Sequence, residues 1–445
     1  MQRWMRRARF ARRWVVFLVW TALLRPAAAR AGDAVSASAG TGVGMTLQGA
    51  LELARRRAPG IVAERLRVDE ARGRLVGASV LLRENPVIEG GAGYRWAAAG
   101  ESTLEGRAAL SQSFELGGQR GARVAAARAL VARAQALSED EARRALREVA
   151  LAFVRALHGR ERLELARSIE RVAQEVLRVS ERRHESGDIA RLDLTLAQAS
   201  LARARADVRV AEAGREESLA ALRGSLGLSP DEPLEIEGNL ADRPVFDLPR
   251  LEGRASRRAD LRALEAELSE ARSDSALGAA ERWPDLGLGA SYERHESADI
   301  VLGTASLTLP LFERGQGLRA EADARGRRLS AELRARKNAV AVEVRAASAA
   351  YEGRVAAVQE LERGALPLLD ESETQVRRSY EAGQLALVDF LAVRREIVAT
   401  RIEYADRLLD AAVAAVELTA RAGAFDADPG REPGAGFQPD PLPGK

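Results

Sequence analysis

The sequence predicts an α+β membrane protein. Long α-helical hairpins would carry a transmembrane β-barrel shared between chains, with four strands from each. Three observations lead there. One pattern of strands and helices is written twice at a nearly fixed offset. Four segments of about ten residues alternate apolar and polar side chains. Residues 122–185 keep helical spacing with no proline among them.

Composition favours long helices over compact domains. Of 445 residues, 46% are hydrophobic but only 4% aromatic, and 30% are charged. Long stretches of Ala, Leu, Val, Arg and Glu suit helices that pack through small side chains. The formal charge of +3 is local in origin: the first 29 residues hold seven arginines and no acid, which leaves 61 basic against 65 acidic residues. The high pI therefore points to a leader and not to a nucleic-acid surface.

That leader has three parts. Arg3 to Arg13 is cationic, Trp14 to Leu24 is apolar but too short to span a bilayer, and Ala27-Ala28-Ala29 offers small residues for cleavage before Arg30. Arg6-Arg7 and Arg12-Arg13 would also fit a twin-arginine leader, but nothing downstream reads as a prefolded cofactor protein. Cysteine is absent, so disulfides and thiolate metal sites are excluded. After residue 29 no run approaches 18 apolar residues, and lipid tolerates only helices and closed barrels. A membrane crossing would have to be a barrel.

Residues 30–44 are small and polar and are expected to be loose. The first repeat then spans 45–227 and the second 250–423. Pro86, Tyr94, Phe114, Glu115 and Gly117 match Pro284, Tyr292, Phe312, Glu313 and Gly315, all 198 positions apart. Glu185, Gly187, Leu192 and Asp193 match Glu381, Gly383, Val388 and Asp389, all 196 apart. Each repeat reads as a helix, a β-hairpin (86–115 or 284–311), a long helix, a glycine turn and a returning helix.

In the first hairpin Ile88, Ala92, Tyr94 and Trp96 oppose Glu89 and Arg95, and Leu104, Ala108, Leu110 and Phe114 oppose Glu105, Arg107, Ser111 and Ser113. In the second, Leu286, Leu288, Ala290 and Tyr292 oppose Asp285, Ser291 and Glu293, and Val301, Ala305, Leu307 and Leu309 oppose Thr304, Ser306 and Thr308. Ten residues is the length of a tilted membrane strand, although two ordinary soluble hairpins would show the same alternation. Leu146, Val149, Phe153 and Leu157, then Val340, Val344, Ala347 and Tyr351, mark helices by spacings of three and four. A rod from 122 to 185 would reach about 95 Å. Gly187 and Gly383 end the rods, and Leu192–Leu226 and Val388–Ala422 return. Pro367 should kink or break the second rod only. Prolines keep 228–249 from being one helix, and 424–445 reads as a disordered tail.

Four strands cannot close a barrel, so copies must combine. Two, three or six would give eight, twelve or 24 strands, and spacing alone does not choose among them.

The opening MTLQGALELARRRAPG, the stretch LSQSFELGGQRGARVAAAR and the tip SYEAGQLALVDFLAVR resemble the TolC family of outer-membrane efflux proteins over about residues 45–423. The second stretch is similar to the CzcC-like branch, the outer components of cation-efflux pumps. The resemblance implies a homotrimer in outer-membrane lipid with a twelve-stranded barrel and a periplasmic helical tunnel. It also implies a periplasmic adaptor and an inner-membrane transporter as partners, with a passive exit duct for metal ions or other small molecules as the function.

On that resemblance the turns at Gly187 and Gly383 lie at the inner end of the tunnel. Asp389 matches an acid lining its entrance, and Asp193 is its equivalent in the first repeat. A ring of carboxylates favours cations, while the bland alternative is a first-turn helix role. The family's second acid is Ala392 here and its basic latch is Leu385. Gly187, Asp188, Ile189 and Leu192, with Gly383, Leu385 and Leu387, are the expected adaptor contacts.

No catalytic residues, cofactor or metal site are expected. His158, His184 and His295 stand apart from one another in sequence. Gly117-Gly118 and Gly315-Gln316-Gly317 read as bends between strand and helix. A periplasmic adaptor or a structural coiled-coil envelope protein would be the alternatives. The first has a single helical hairpin, and the second has no need of membrane-length strands.

Overall fold

The computed structural model describes residues 44–96, 102–295 and 298–425, the side chain of Ser102 excepted. The expected leader, nearly all of 30–44, and the tail beyond Phe425 lie outside them. The described chain runs α1 (Leu47–Arg57), α2 (Pro59–Ser79), β1 (Val87–Trp96), β2 (Ser102–Glu115), α3 (Gln119–Glu185), α4 (Arg191–Leu226), α5 (Leu248–Ala255) and α6 (Ala259–Ala280). It continues with β3 (Asp285–His295), β4 (Ala298–Thr308), α7 (Gln316–Glu360), a π-helical segment (Leu361–Ala365), α8 (Leu366–Glu381) and α9 (Leu387–Arg421).

The four strands form one antiparallel sheet in the order β1-β2-β3-β4, so β2 and β3 join the two repeats. Register keeps like faces together: Tyr94 pairs with Leu104, Ala108 with Tyr292, and Tyr292 with Val301. The opposite face carries Glu105, Arg107, Ser291 and Glu293. Exposure differs between the faces. Ile88 and Trp96 are each 81% exposed, whereas Ser291 is 6% exposed and the Glu293 side chain 21%. On β3 the polar side is thus the more sheltered one, the arrangement a barrel wall with a polar lumen calls for. One departure from simple alternation is that Ile300 and Leu302 of β4 fall on the polar face, opposite Glu293 and Ser291.

Each long helix starts at a glycine in the left-handed region, Gly118 at φ 77° and Gly315 at φ 71°. At Gly315 a Cβ would stand 2.2 Å from the Gly278 carbonyl oxygen, so the turn needs both the conformation and the missing side chain. The structural partner of Gly315 is thus Gly118, one position beyond the match that sequence identity picks. The 67 residues of α3 run unbroken for about 100 Å.

Its counterpart is interrupted at Leu361–Ala365, where the Leu366 amide bonds back to the Leu361 carbonyl. Pro367 has no N–H to give and its ring would collide with the turn below. A π turn absorbs that defect, and the chain remains helical. The Glu362 carboxylate within it takes bonds from Arg243 of the linker and from the Tyr404 hydroxyl of α9.

Apolar packing is concentrated midway along the rods. Phe153 and Leu157 of α3 meet Leu222 of α4, Leu240 of the linker and Leu408 of α9. A second cluster joins Leu261, Val344, Tyr351 and Leu418. The linker is pinned by a parallel bridge between Met45 and Ile236, and α5 begins at Leu248 with Pro249 in its first turn. Ala424 and Phe425, which the sequence placed in the tail, continue from α9, and Phe425 is buried.

One buried ion network deserves a test of its own. Arg258 is 2% exposed and donates to Asp260 (2.8 Å), to Glu343 (3.2 Å) and to the Arg421 carbonyl at the end of α9 (3.0 Å). Arg336 donates to the same two acids. Burial pushes the Asp260 carboxyl up, but the two guanidiniums more than offset it, and the pKa lies below the ordinary range. Glu343 is lowered for the same reasons. A lowered carboxylate contributes stability that is complete above its unfolded pKa of about 4 and is lost as pH falls through the lower folded value. Thermal scans should accordingly show steady stability from neutral pH to about 5 and a fall below about 4. Arg258→Met should cost about 3 kcal/mol at pH 7, because it leaves Asp260 and Glu343 to Arg336 alone and takes a donor from the Arg421 carbonyl, and should make that acid limb shallower.

Candidate functional site at the helical tips

Both helical hairpins close with the same cap. Gly187 has φ 81° and Gly383 has φ 74°. The Gly187 amide bonds to the His184 carbonyl and the Asp188 amide to the Arg183 carbonyl; Gly383 bonds to Tyr380 and Gln384 to Ser379. This is the paired main-chain closure that a left-handed glycine permits. After two further residues the chain re-enters a helix at Arg191 or Leu387.

The two tips are packed against each other. Tyr380 of α8 is 2% exposed, its hydroxyl 2.7 Å from the Ser180 hydroxyl of α3. The Arg183 guanidinium lies over the Tyr380 ring at 5.5 Å and donates to its carbonyl at 3.3 Å. Phe390 stacks on the other side with ring centroids 4.9 Å apart, and Val176, Val179, Ala197 and Leu387 complete an apolar plug. Sequence reasoning missed Ser180, Arg183, Tyr380 and Phe390. The available signal was aromatic scarcity: one of only five tyrosines stands three residues before a turn glycine.

Among the expected site residues, Gly187, Asp188, Leu192 and Gly383 are exposed, and Ile189 and Leu385 are half-buried. Leu387 is corrected: it is 3% exposed inside the plug and offers no docking surface. Leu385 packs against the same plug, so the position that holds a basic latch elsewhere contributes apolar contact here.

Asp193 and Asp389 are the acids of the first turns of α4 and α9. Asp389 is exposed, and among the described residues neither acid has an ion pair or a side-chain hydrogen bond. They are not capping residues; the caps are Ala190 and Ala386.

The histidines have partners that sequence distance concealed. His158 lies 2.8 Å from Asp406 of α9, His184 meets the Ile189 carbonyl across the first tip, and His295 reaches Glu105 of β2. Among the described residues no group of three or more His, Asp or Glu could hold a metal ion, and no helix is long and apolar enough to cross a membrane.

A sheet with an apolar outer face, carried on rods of about 100 Å, defines a channel protein that joins a membrane barrel to a helical conduit. Residues 50–228 and 254–424 match the family described as outer membrane efflux protein. The chain is 26% identical over 307 residues to the cobalt-zinc-cadmium resistance protein CzcC of Cupriavidus metallidurans, covering 68% of this chain and 73% of that one. It is 32% identical over 234 residues to the pyoverdine export outer membrane protein OpmQ of Pseudomonas aeruginosa, 48% of each chain. The crystal structure of the Campylobacter jejuni CmeC outer membrane channel has a similar fold, with TM-score 0.72 at 15% identity over 87% of each chain.

The chain belongs to the outer membrane efflux protein family. It is the outer-membrane channel component of a tripartite pump and extends into the periplasm. Proteins of this family form trimers and work with a periplasmic adaptor and an inner-membrane transporter. Its relatives are channels and not enzymes.

The tip plug makes a checkable claim. Tyr380→Phe should cost about 1 kcal/mol, because Ser180 keeps its bond to the Val176 carbonyl. Tyr380→Ala should cost about 3 kcal/mol or more. Limited proteolysis should show new cleavage near residues 183–190 and 379–388 in the alanine variant, with the strands untouched.

Proposed function

We propose that the pump exports divalent transition-metal cations, that Asp193 and Asp389 form the cation-attracting entrance of the tunnel, and that the exposed tips dock the adaptor. The observation that carries this reading is one carboxylate in the first turn of each returning helix, Asp193 and Asp389, without an ion pair among the described residues. Three copies would set six carboxylates around one mouth, where low-dielectric walls focus their field and raise the local cation concentration. The CzcC resemblance supports the choice of cation. The duct itself needs no ligand cage, since a conduit must release what enters it.

Gly187, Asp188, Ile189 and Leu192 of the first tip, with Gly383 and Leu385 of the second, are the surface offered to the adaptor. Outer-membrane phospholipid and lipopolysaccharide tails would cover the face of Ile88, Tyr94, Leu110, Leu288 and Val301. Nucleic acid has no part in this reading. A second cargo class, a secreted siderophore, is favoured by the likeness to OpmQ over half of the chain.

Growth of a strain lacking the chromosomal copy separates the cargoes. Wild-type chain should restore tolerance to cobalt, zinc or cadmium, and Asp389→Asn should lower that tolerance severalfold at equal amounts of trimer. Restored siderophore secretion with no change in metal tolerance would discard the cation reading. A glutamate at position 389 should behave as wild type.

A further inference from the structure

We propose that Arg95, Glu105, Arg107, Glu293 and His295 form an ion-selectivity ring at the outer mouth of the barrel, with His295 setting its net charge. The proposal rests on the trimeric barrel and concerns the end of the duct opposite the helical tips.

The placement follows from topology. Helices attach to the strands at Val87, Glu115, Asp285 and Thr308, so the other ends of the strands face away from the periplasm. Arg95, Glu105, Arg107, Glu293 and His295 lie in that distal half, and register puts all five on the polar face. The register sets Gly93 opposite Glu105, Arg107 opposite Glu293 and His295 opposite Ala298.

Three strands contribute to one network. Arg95 of β1 lies 2.6 Å from Glu105 of β2, and Arg107 of β2 lies 3.5 Å from Glu293 of β3. His295 joins the two pairs. Its Nδ1 is 3.2 Å from Arg95 Nη2 and 3.2 Å from Glu105 Oε1, and its Nε2 is 3.6 Å from Glu293 Oε2. On this face β4 brings Ala298, Ile300 and Leu302 and no charged group. Arg294, Asp299 and Tyr292 point to the opposite face, where the Tyr292 hydroxyl donates to Asp299 at 2.6 Å.

The chemistry is a charge balance with one variable member. Among the described residues of the cluster, two guanidiniums and two carboxylates cancel. With the imidazole neutral, Nε2–H points to Glu293 and Nδ1 accepts from Arg95, so every ring nitrogen has a partner. Protonation turns Nδ1 into a donor toward Glu105 and leaves the network one positive charge richer. Three chains would carry three such charges around one lumen. Histidine changes charge between about pH 5 and 8, so acid outside the cell would make the mouth repel returning cations while a neutral exterior lets them leave. The groups that face the imidazole are Arg95 of β1, Glu105 of β2 and Glu293 of β3, with Arg107 beside Glu293.

The screening length is about 30 Å at 10 mM salt against about 10 Å at 0.1 M, so the effect should be read at low ionic strength. Purified trimers would be placed in a planar bilayer under a potassium chloride gradient, with the helical side held near pH 7.5 so that Asp193 and Asp389 stay ionised. Taking the barrel side from about pH 7.5 to 5 should lower the cation-to-anion permeability ratio of wild type about twofold. His295→Gln should keep the neutral-pH ratio at both values. His295→Lys should show the low ratio at both. The proposal is overturned if His295→Gln shifts as wild type does, or if wild type does not shift. A folded trimer that conducts nothing would overturn the duct reading itself, a separate outcome.

Discussion

In hydrocarbon every backbone N–H and C=O must find a partner within protein. This chain supplies four strands and leaves two rows unmatched within itself, one along β1 and one along β4. Soluble sheets tolerate such edges by exposing them to water or blunting them with charge. Here the outward face holds Ile88, Tyr94, Trp96 and Val301, and water is not on offer. Edges of this kind in lipid are closed by those of sister chains, as in the trimers that proteins of this family form. The rods inherit the same symmetry because β2 and β4 each continue into a long helix through a left-handed glycine, Gly118 or Gly315, that fixes its exit direction.

Duplication supplies most of the material but not its finish. Both repeats close their hairpins with the same main-chain cap and start their rods at the same left-handed glycine. They differ where packing makes different demands. Pro367 forces a π turn into the second rod, and Glu362 in that turn is tied to the linker and to α9. Arg258 and its two acids lock the end of α9 against the second repeat. In the first repeat Arg143, bound to Asp140, reaches the neighbouring Ala420 carbonyl. The final turn of α9 is thus held by one buried arginine from each half.

Features that repeat along one segment were legible in the sequence, and features that join distant segments were not. Strand faces follow from alternation, rods from spacings of three and four, turns from Gly187 and Gly383. The Pro367 defect was visible as a break, but not as a π turn, because the outcome depends on what can accept the displaced main-chain bonds. Tyr380 with Ser180, Arg258 with Glu343 and His295 with Glu105 and Glu293 join residues far apart in the chain, and such pairs leave no periodic trace. Leu387 was misplaced for a related reason: an apolar residue near a turn looks exposed until its partner Phe390 and the facing helix are known. At the tips the sequence located Asp193 and Asp389, but it could not tell that neither has an ion pair among the described residues.

The paired closures at Gly187 and Gly383 are made by main-chain donors and acceptors, and the first tip adds the Ser186 hydroxyl and the His184 ring. Asp188-Ile189 in one hairpin and Gln384-Leu385 in the other complete the same turn with unlike side chains. Apart from the contact of Leu385 with the plug, folding therefore asks little of those positions beyond their number. Mutation can rewrite them freely, and a duct of this design can change the company it keeps at its inner end while its walls stay as they are.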